Sequence, residues 1–181
     1  IINLNTYMRI NVLIFLFIFS GCAVIHAQEL IPQQNEKGKY GFTDESGTFV
    51  IKPEFDDILF EFTQGVACVQ VKKKYFFINA KGDKLSKKTY SWVGNFDKNN
   101  LCLVNNGGKI NEKGEVEGGK FGYVNYRGEE TVPVKYSAVG KFNEHGVASI
   151  NQGGSYDKDG DFDGGKYGFV DLLGKELIPP K

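Results

Sequence analysis

Four segments of this chain open in the same way. Lys39, Lys74, Lys120 and Lys166 lie 35, 46 and 46 residues apart and set a common register. The next residue is aromatic in each (Tyr40, Tyr75, Phe121, Tyr167), and so is the residue two further on (Phe42, Phe77, Tyr123, Phe169). Asp44, Asn79, Asn125 and Asp171 follow, each with a glycine three residues later at Gly47, Gly82, Gly128 and Gly174. Another aromatic falls 16 residues after the lysine at Phe55, Tyr90 and Tyr136. Each complete unit closes on an apolar stretch, at 66–69, 101–104 and 147–150. So many matches in one register define an internal repeat, and such a unit buries its apolar face only against its neighbours.

The spacings have mechanical readings. Asp or Asn at the first position of a turn and Gly at the fourth is type I turn chemistry. Aromatics two apart share one face of a strand. Residues 39–44 and 48–51 are therefore predicted to form a hairpin, as are the matching segments of later units. Pro53, Pro133, Pro179 and Pro180 are expected to stop the second strand, because proline cannot donate to a ladder. The closing apolar stretch is expected to pair with the next unit's opening strand. Alternation then places Ala67 with Val69, Cys102 with Val104, and Ala148 with Ile150 on one core-facing side. The second and third units carry 11 extra residues, within 107–119 and 153–165, with a glycine pair at each end. These read as lengthened hairpins whose tips turn at Lys113-Gly114 and Asp159-Gly160. The predicted fold is all-β: tandem antiparallel β-hairpin repeats, as an open array or as propeller-like blades, three full and a truncated fourth.

The first 27 residues read as an address. Met8-Arg9 opens a short basic region, Val12 to Phe19 is an unbroken apolar run, and Ser20, Gly21 and Ala23 are small. That is the layout of a secretory signal peptide, and the run is too short to span a bilayer. Met8 is the preferred start. Two processing sites fit: cleavage after Ile25-His26-Ala27, which is favoured, or lipid modification of Cys22 in the lipobox-like Phe19-Ser20-Gly21-Cys22. Either sends the protein out of the cytoplasm, to the periplasm, the outer membrane or cell surface, or beyond. The organisation is then a signal peptide over 1–27, a lead-in strand over 28–38, repeats over 39–73, 74–119 and 120–165, and a partial repeat over 166–181.

The pattern resembles the WG-repeat family, bacterial tandem β repeats that open Lys-Trp-Gly-Phe-Ile-Asp. Lys166-Tyr167-Gly168-Phe169-Val170-Asp171 matches best, with Lys39-Tyr40-Gly41-Phe42 and Lys120-Phe121-Gly122-Tyr123 close behind. The family's Trp is Tyr or Phe in every unit, and Phe76 replaces the Gly of the second. The resemblance implies an array that presents a surface to a partner. It carries over no catalytic motif.

Charge and composition narrow the function. Lys and Arg total 22 against 22 Asp and Glu, which gives no case for a nucleic-acid or anionic-membrane partner. Membrane association is expected only through the signal peptide or a lipid anchor. After removal of 1–27 one histidine, His145, and two cysteines, Cys68 and Cys102, remain, too few for a structural zinc site. Asp159, Asp161, Asp163 and Gly164 match the first half of a calcium-binding loop. Its twelfth position is Val170, where a bidentate Glu belongs, so a solvated acidic tip is the preferred reading and no metal is assigned. Cys68 and Cys102 fall on opposite faces of their strands and are expected to stay reduced. His145 is expected in a surface turn. The repeat aromatics are read as core, with a sugar-stacking platform as the alternative. No nucleophile elbow or phosphate loop is present, so neither catalytic residue nor cofactor is expected. The expected function is non-enzymatic binding or scaffolding, toward an unidentified protein or a surface glycan. The alternative is a lectin-like or calcium-dependent adhesion module. In the fourth unit the 16-residue aromatic position falls past Lys181, so 166–181 is expected to be a half-unit of a longer array.

Overall fold

A computed structural model describes residues 29–112, 114–157 and 160–181. The predicted signal peptide, Cys22 and Asp159 lie outside these. Among the described residues every regular element is a strand.

Sheet 1 holds β1 (Ile31–Gln34), β2 (Tyr40–Thr43) and β3 (Phe49–Phe55), in that order. Sheet 2 holds β4 (Asp57–Thr63), β5 (Val66–Val71) and β6 (Lys74–Asn79). Next come β7 (Trp92–Phe96) and β8 (Leu101–Asn106), a small hairpin of β9 (Lys109–Ile110) and β10 (Val116–Glu117), then β11 (Lys120–Asn125) and β12 (Glu130–Tyr136). Sheet 3 is ordered β12-β11-β8-β7. The same plan follows with β13 (Ala138–Val139), β14 (Val147–Gln152), a small hairpin of β15 (Ser155–Tyr156) and β16 (Phe162–Asp163), β17 (Lys166–Asp171) and β18 (Glu176–Ile178). Sheet 4 is ordered β13-β14-β17-β18.

Each of sheets 2 to 4 straddles a repeat boundary. The closing strand of one unit pairs antiparallel with the opening strand of the next, as β5 with β6, β8 with β11 and β14 with β17. Successive sheets enclose three cores. The first holds Phe42, Ile51 and Phe55 of sheet 1 against Ala67, Val69 and Ile78 of sheet 2. The second holds Cys68 and Phe77 against Cys102, Val104 and Val124 of sheet 3. The third holds Tyr123, Val132 and Tyr136 against Ala148, Ile150 and Val170 of sheet 4. An interior sheet therefore has no polar face: in sheet 2 Phe77 points into one core and Ala67 with Val69 into the other, and in sheet 3 Tyr123 and Cys102 with Val104 divide in the same way. This two-sided burial explains why adjacent residues of β5, Ala67 through Val69, are all buried.

The prolines do not stop their strands as expected. β3 runs through Pro53 to Phe55, and β12 runs through Pro133 to Tyr136. Both strands are sheet edges, where a missing donor costs no ladder bond, and both ladders bulge at that point. Only β18 ends at Ile178 just before its proline. The bulge presses on the glycine of the repeat motif. A Cβ at Gly41, Gly122 or Gly168 would lie 2.5, 2.4 or 2.4 Å from the carbonyl oxygen of Ile51, Val132 or Ile178. Phe76 occupies that position in the second unit. There the expected second strand is reduced to two isolated bridges, Ile78 with Lys84 and Tyr75 with Tyr90.

Candidate functional site

The residues singled out from the sequence do not converge. Asp161 and Asp163 are exposed at the end of a small hairpin, and the Asp161 N–H donates to Asp157 Oδ1 at 2.9 Å. The Asp157 N–H donates to Asp161 O at 2.8 Å, and Gly160 N–H donates back to Asp157 O. Asn111 and Gly114 pair in the same way, and Lys113 and Asp159 of the expected tips lie outside the described residues. Among the described residues no three His, Cys, Asp or Glu side chains are grouped to hold a metal. His145 is exposed, in a turn whose Asn143 side chain accepts its N–H at 2.9 Å, with Glu144 3.5 Å from its ring.

Cys68 and Cys102 are free and buried. They occupy opposite faces of their own sheets, as the register implied, but those faces look toward each other across the second core. Burial pushes the Cys102 thiol up to about 12, and its S–H donates to Gly94 O at 3.0 Å. Burial, and then the neighbouring Cys102, raises Cys68 as well.

Two polar devices recur that the sequence reading missed. One ties units together. Tyr136 donates to Glu176 Oε1 at 2.7 Å, and Lys135 Nζ sits 2.9 Å from the same oxygen. One unit earlier Tyr90 reaches Glu130 at 3.4 Å, with Lys88 2.6 Å from its other oxygen. Where the tyrosine is replaced by Phe55, the next unit carries Lys84 in place of the glutamate, and Lys84 Nζ lies 4.0 Å over the Phe76 ring. The paired change was legible in the aligned units. The second device anchors the inserted hairpins. Buried Asn105 donates to Gly118 O at 2.9 Å and accepts from Gly108 N–H at 2.8 Å; buried Asn151 does the same with Gly164 and Gly154 at 3.1 and 3.0 Å.

The largest exception to the burial pattern is the outer face of sheet 4. Phe42, Phe77 and Tyr123 are at most 4% exposed, whereas Phe169 at the same repeat position is 42% exposed. Ile51 and Val132 are 5% and 0% exposed, and their counterpart Ile178 is 53%. Tyr167 and Leu173 are exposed beside them, while Leu172 turns inward onto the third core. The outer face of sheet 1 differs, with Gln33 and Thr43 where interior sheets carry Val69, Val104 or Ile150 and Ile78, Val124 or Val170. The repeat aromatics are thus core residues wherever a further sheet follows.

The clefts between sheets also repeat. One of about 720 Å³ lies by Leu30 and Phe62, one of about 270 Å³ by Phe60 and Phe96, and one of about 650 Å³ by Trp92 and Phe142.

Comparisons with known proteins place the chain. No curated protein matches it. Among solved structures, a crystal structure of the eukaryotic initiation factor is 9% identical over 83% of this chain and 51% of that one, with a TM-score of 0.35. The chain spans about half of that structure's length, and so loose a likeness carries no argument. The family described as WG containing repeat matches at residues 40–75, 75–109, 121–156 and 167–181, most of the described length. With the hairpin repeats and straddling sheets described above, the chain belongs to the WG-repeat family.

Proposed function

We propose that this WG-repeat chain is an exported, non-enzymatic module that binds or scaffolds through its repeat surface. One observation carries the binding role: the sheet 4 face keeps the aromatic and aliphatic residues that every preceding sheet buries. A contiguous exposed apolar face rimmed by polar groups is a surface for a further sheet or a partner to cover. What fits it, whether a further repeat of the same array or another protein, is a β-sheet face bearing small aliphatic side chains, because Ala148, Ile150 and Val170 fill that role against Tyr123 and Val132. Export rests on the signal-peptide pattern of residues 8–27.

Two measurements test this reading. Expressed in a bacterial host, the mature form should begin at Gln28 or at a lipid-modified Cys22 by intact mass; an uncleaved cytoplasmic product overturns export. A photo-crosslinking residue at position 169 should give a protein adduct in the envelope that excess wild-type protein competes away. The same residue at position 52, on exposed β3, should give none. A glycan array or a micromolar calcium titration that responds, with position 169 silent, would replace this reading with the adhesion module.

A further inference from the structure

The three clefts stand at one repeat position but differ in their walls. The two larger ones are flanked by charged side chains, Glu29 and Glu61 in one and Asp97, Lys98 and Lys141 in the other. The middle cleft is walled by four rings, Phe60, Phe77, Phe96 and Tyr126, with the Cys68 thiol against them and Glu61 its only charged residue.

The middle cleft also shows a wider ring contact. In the first core Phe62 meets Phe42 at 4.7 Å between centroids, and in the third Phe142 meets Tyr123 at 5.0 Å. In the second core the equivalent pair, Phe96 and Phe77, stands at 6.2 Å, and Phe60 leans in from the side at 5.7 Å. Cys68 occupies the position that Leu103 holds in the larger cleft between sheets 3 and 4. The volume left is about 270 Å³. A dry cavity of about 150 Å³ accepts one benzene ring, so this one suits roughly two fused rings.

We infer that the cleft between sheets 2 and 3, walled by Phe60, Phe77, Phe96 and Tyr126, is a binding site for a bicyclic aromatic molecule that carries no negative charge. The ring chemistry follows from the walls, since edges and faces of several rings around one volume match the preferred T-shaped and offset packing of another ring. The thiol, the ring faces and the Glu61 carboxylate offer an anion no counter-charge. Gln64 and Asn100, both at positive φ, stand at the rim with the amide groups that a ring N–H or hydroxyl at the ligand's outer edge needs. This site is distinct from the sheet 4 face, and its failure would leave that reading untouched.

Indole is the probe, followed by amide chemical shifts of the mature protein. Saturable shifts confined to 60–68, 77, 96–100 and 126, with a Kd below about 1 mM, are expected. Cys68→Leu, which copies Leu103, fills the cavity and should weaken indole at least tenfold without lowering the melting temperature. Phe96→Leu removes a wall and should weaken it severalfold, which keeps the test decisive if Cys68→Leu misfolds. An aliphatic alcohol of equal size should bind at least fivefold more weakly. Shifts that spread to Phe169 and Ile178, indole affinity unchanged in both variants, or no saturation at millimolar indole would each overturn the assignment. Equal binding of the aliphatic alcohol would overturn the aromatic class.

Discussion

At Gly122 the repeat motif and the proline 11 residues later act as one device. The strand bulges toward the glycine at Val132-Pro133-Val134, and a Cβ there would meet backbone at 2.4 Å and 2.8 Å. Backbone atoms cannot rotate away as a side chain can. Gly122→Ala should therefore cost about 2–3 kcal/mol, the range of overpacking, and lower the urea midpoint with little change in slope. The same substitution at Gly47, whose surroundings are open, should act only through its φ of 81° and cost about 1 kcal/mol. Glu176 gives a second residue-level test. The Tyr136 hydroxyl, and then Lys135, holds its carboxyl below the ordinary 4.5. A lowered folded-state value contributes stability above pH 4.5 that is lost as pH falls through the folded value. Tyr136→Phe should cost about 1 kcal/mol at neutral pH, a few degrees of melting temperature, and the gap to wild type should narrow as pH falls from 4.5 through the lowered folded-state value. A gap that persists at pH 3 would assign the loss to packing.

At the scale of elements the sequence was legible where the signal was local and repeated. The turn from Asp44 to Gly47, with Asp44 accepting N–H bonds from Ser46 and Thr48, follows from short-range chemistry, as do β2, β6, β11 and β17. The prolines were misread because their effect depends on whether β3 and β12 are edges, a property of the sheet. Cys68 and Cys102 were placed on the right faces, but which faces meet is set by stacking, beyond any single strand's alternation. Asn105 and Asn151 were missed because one buried asparagine at a strand end looks like a loop residue until its partners are known. The inserted hairpins depend on them: the two-residue turn at Lys72 and Lys73 that joins β5 to β6 is replaced there by a longer excursion with a polar base. Asn151→Ala leaves Gly154 N–H and Gly164 O without partners, so it should cost about 1–3 kcal/mol. Its amide exchange should speed up over 153–165 while β17 stays protected. Uniform acceleration through β17 would show that the asparagine supports sheet 4 as a whole.

For the whole molecule, one repeat position samples several environments. Phe77 lies between two sheets and Phe169 lies on the face that no described sheet covers, yet both stand three residues after their lysines. Local propensity and turn chemistry are shared, so a difference in their contribution reports on stacking alone. Truncating a buried phenylalanine removes transfer energy and leaves a cavity, so Phe77→Ala should cost about 3–5 kcal/mol. Phe169→Ala removes a ring already half in water and should cost less than about 1 kcal/mol. Ile51→Ala against Ile178→Ala repeats the comparison on the partner strand. Urea midpoints at several protein concentrations measure both pairs. Exchange should follow the same gradient, with 167–181 opening before 147–150, because sheet 4 has a core on one side only and each repeat draws its stability from its neighbours. If Phe169→Ala costs as much as Phe77→Ala at every dilution, the sheet 4 face is already buried within the molecule and is not its binding surface. A cost that appears only at high concentration would mean that copies of the chain cover that face for one another.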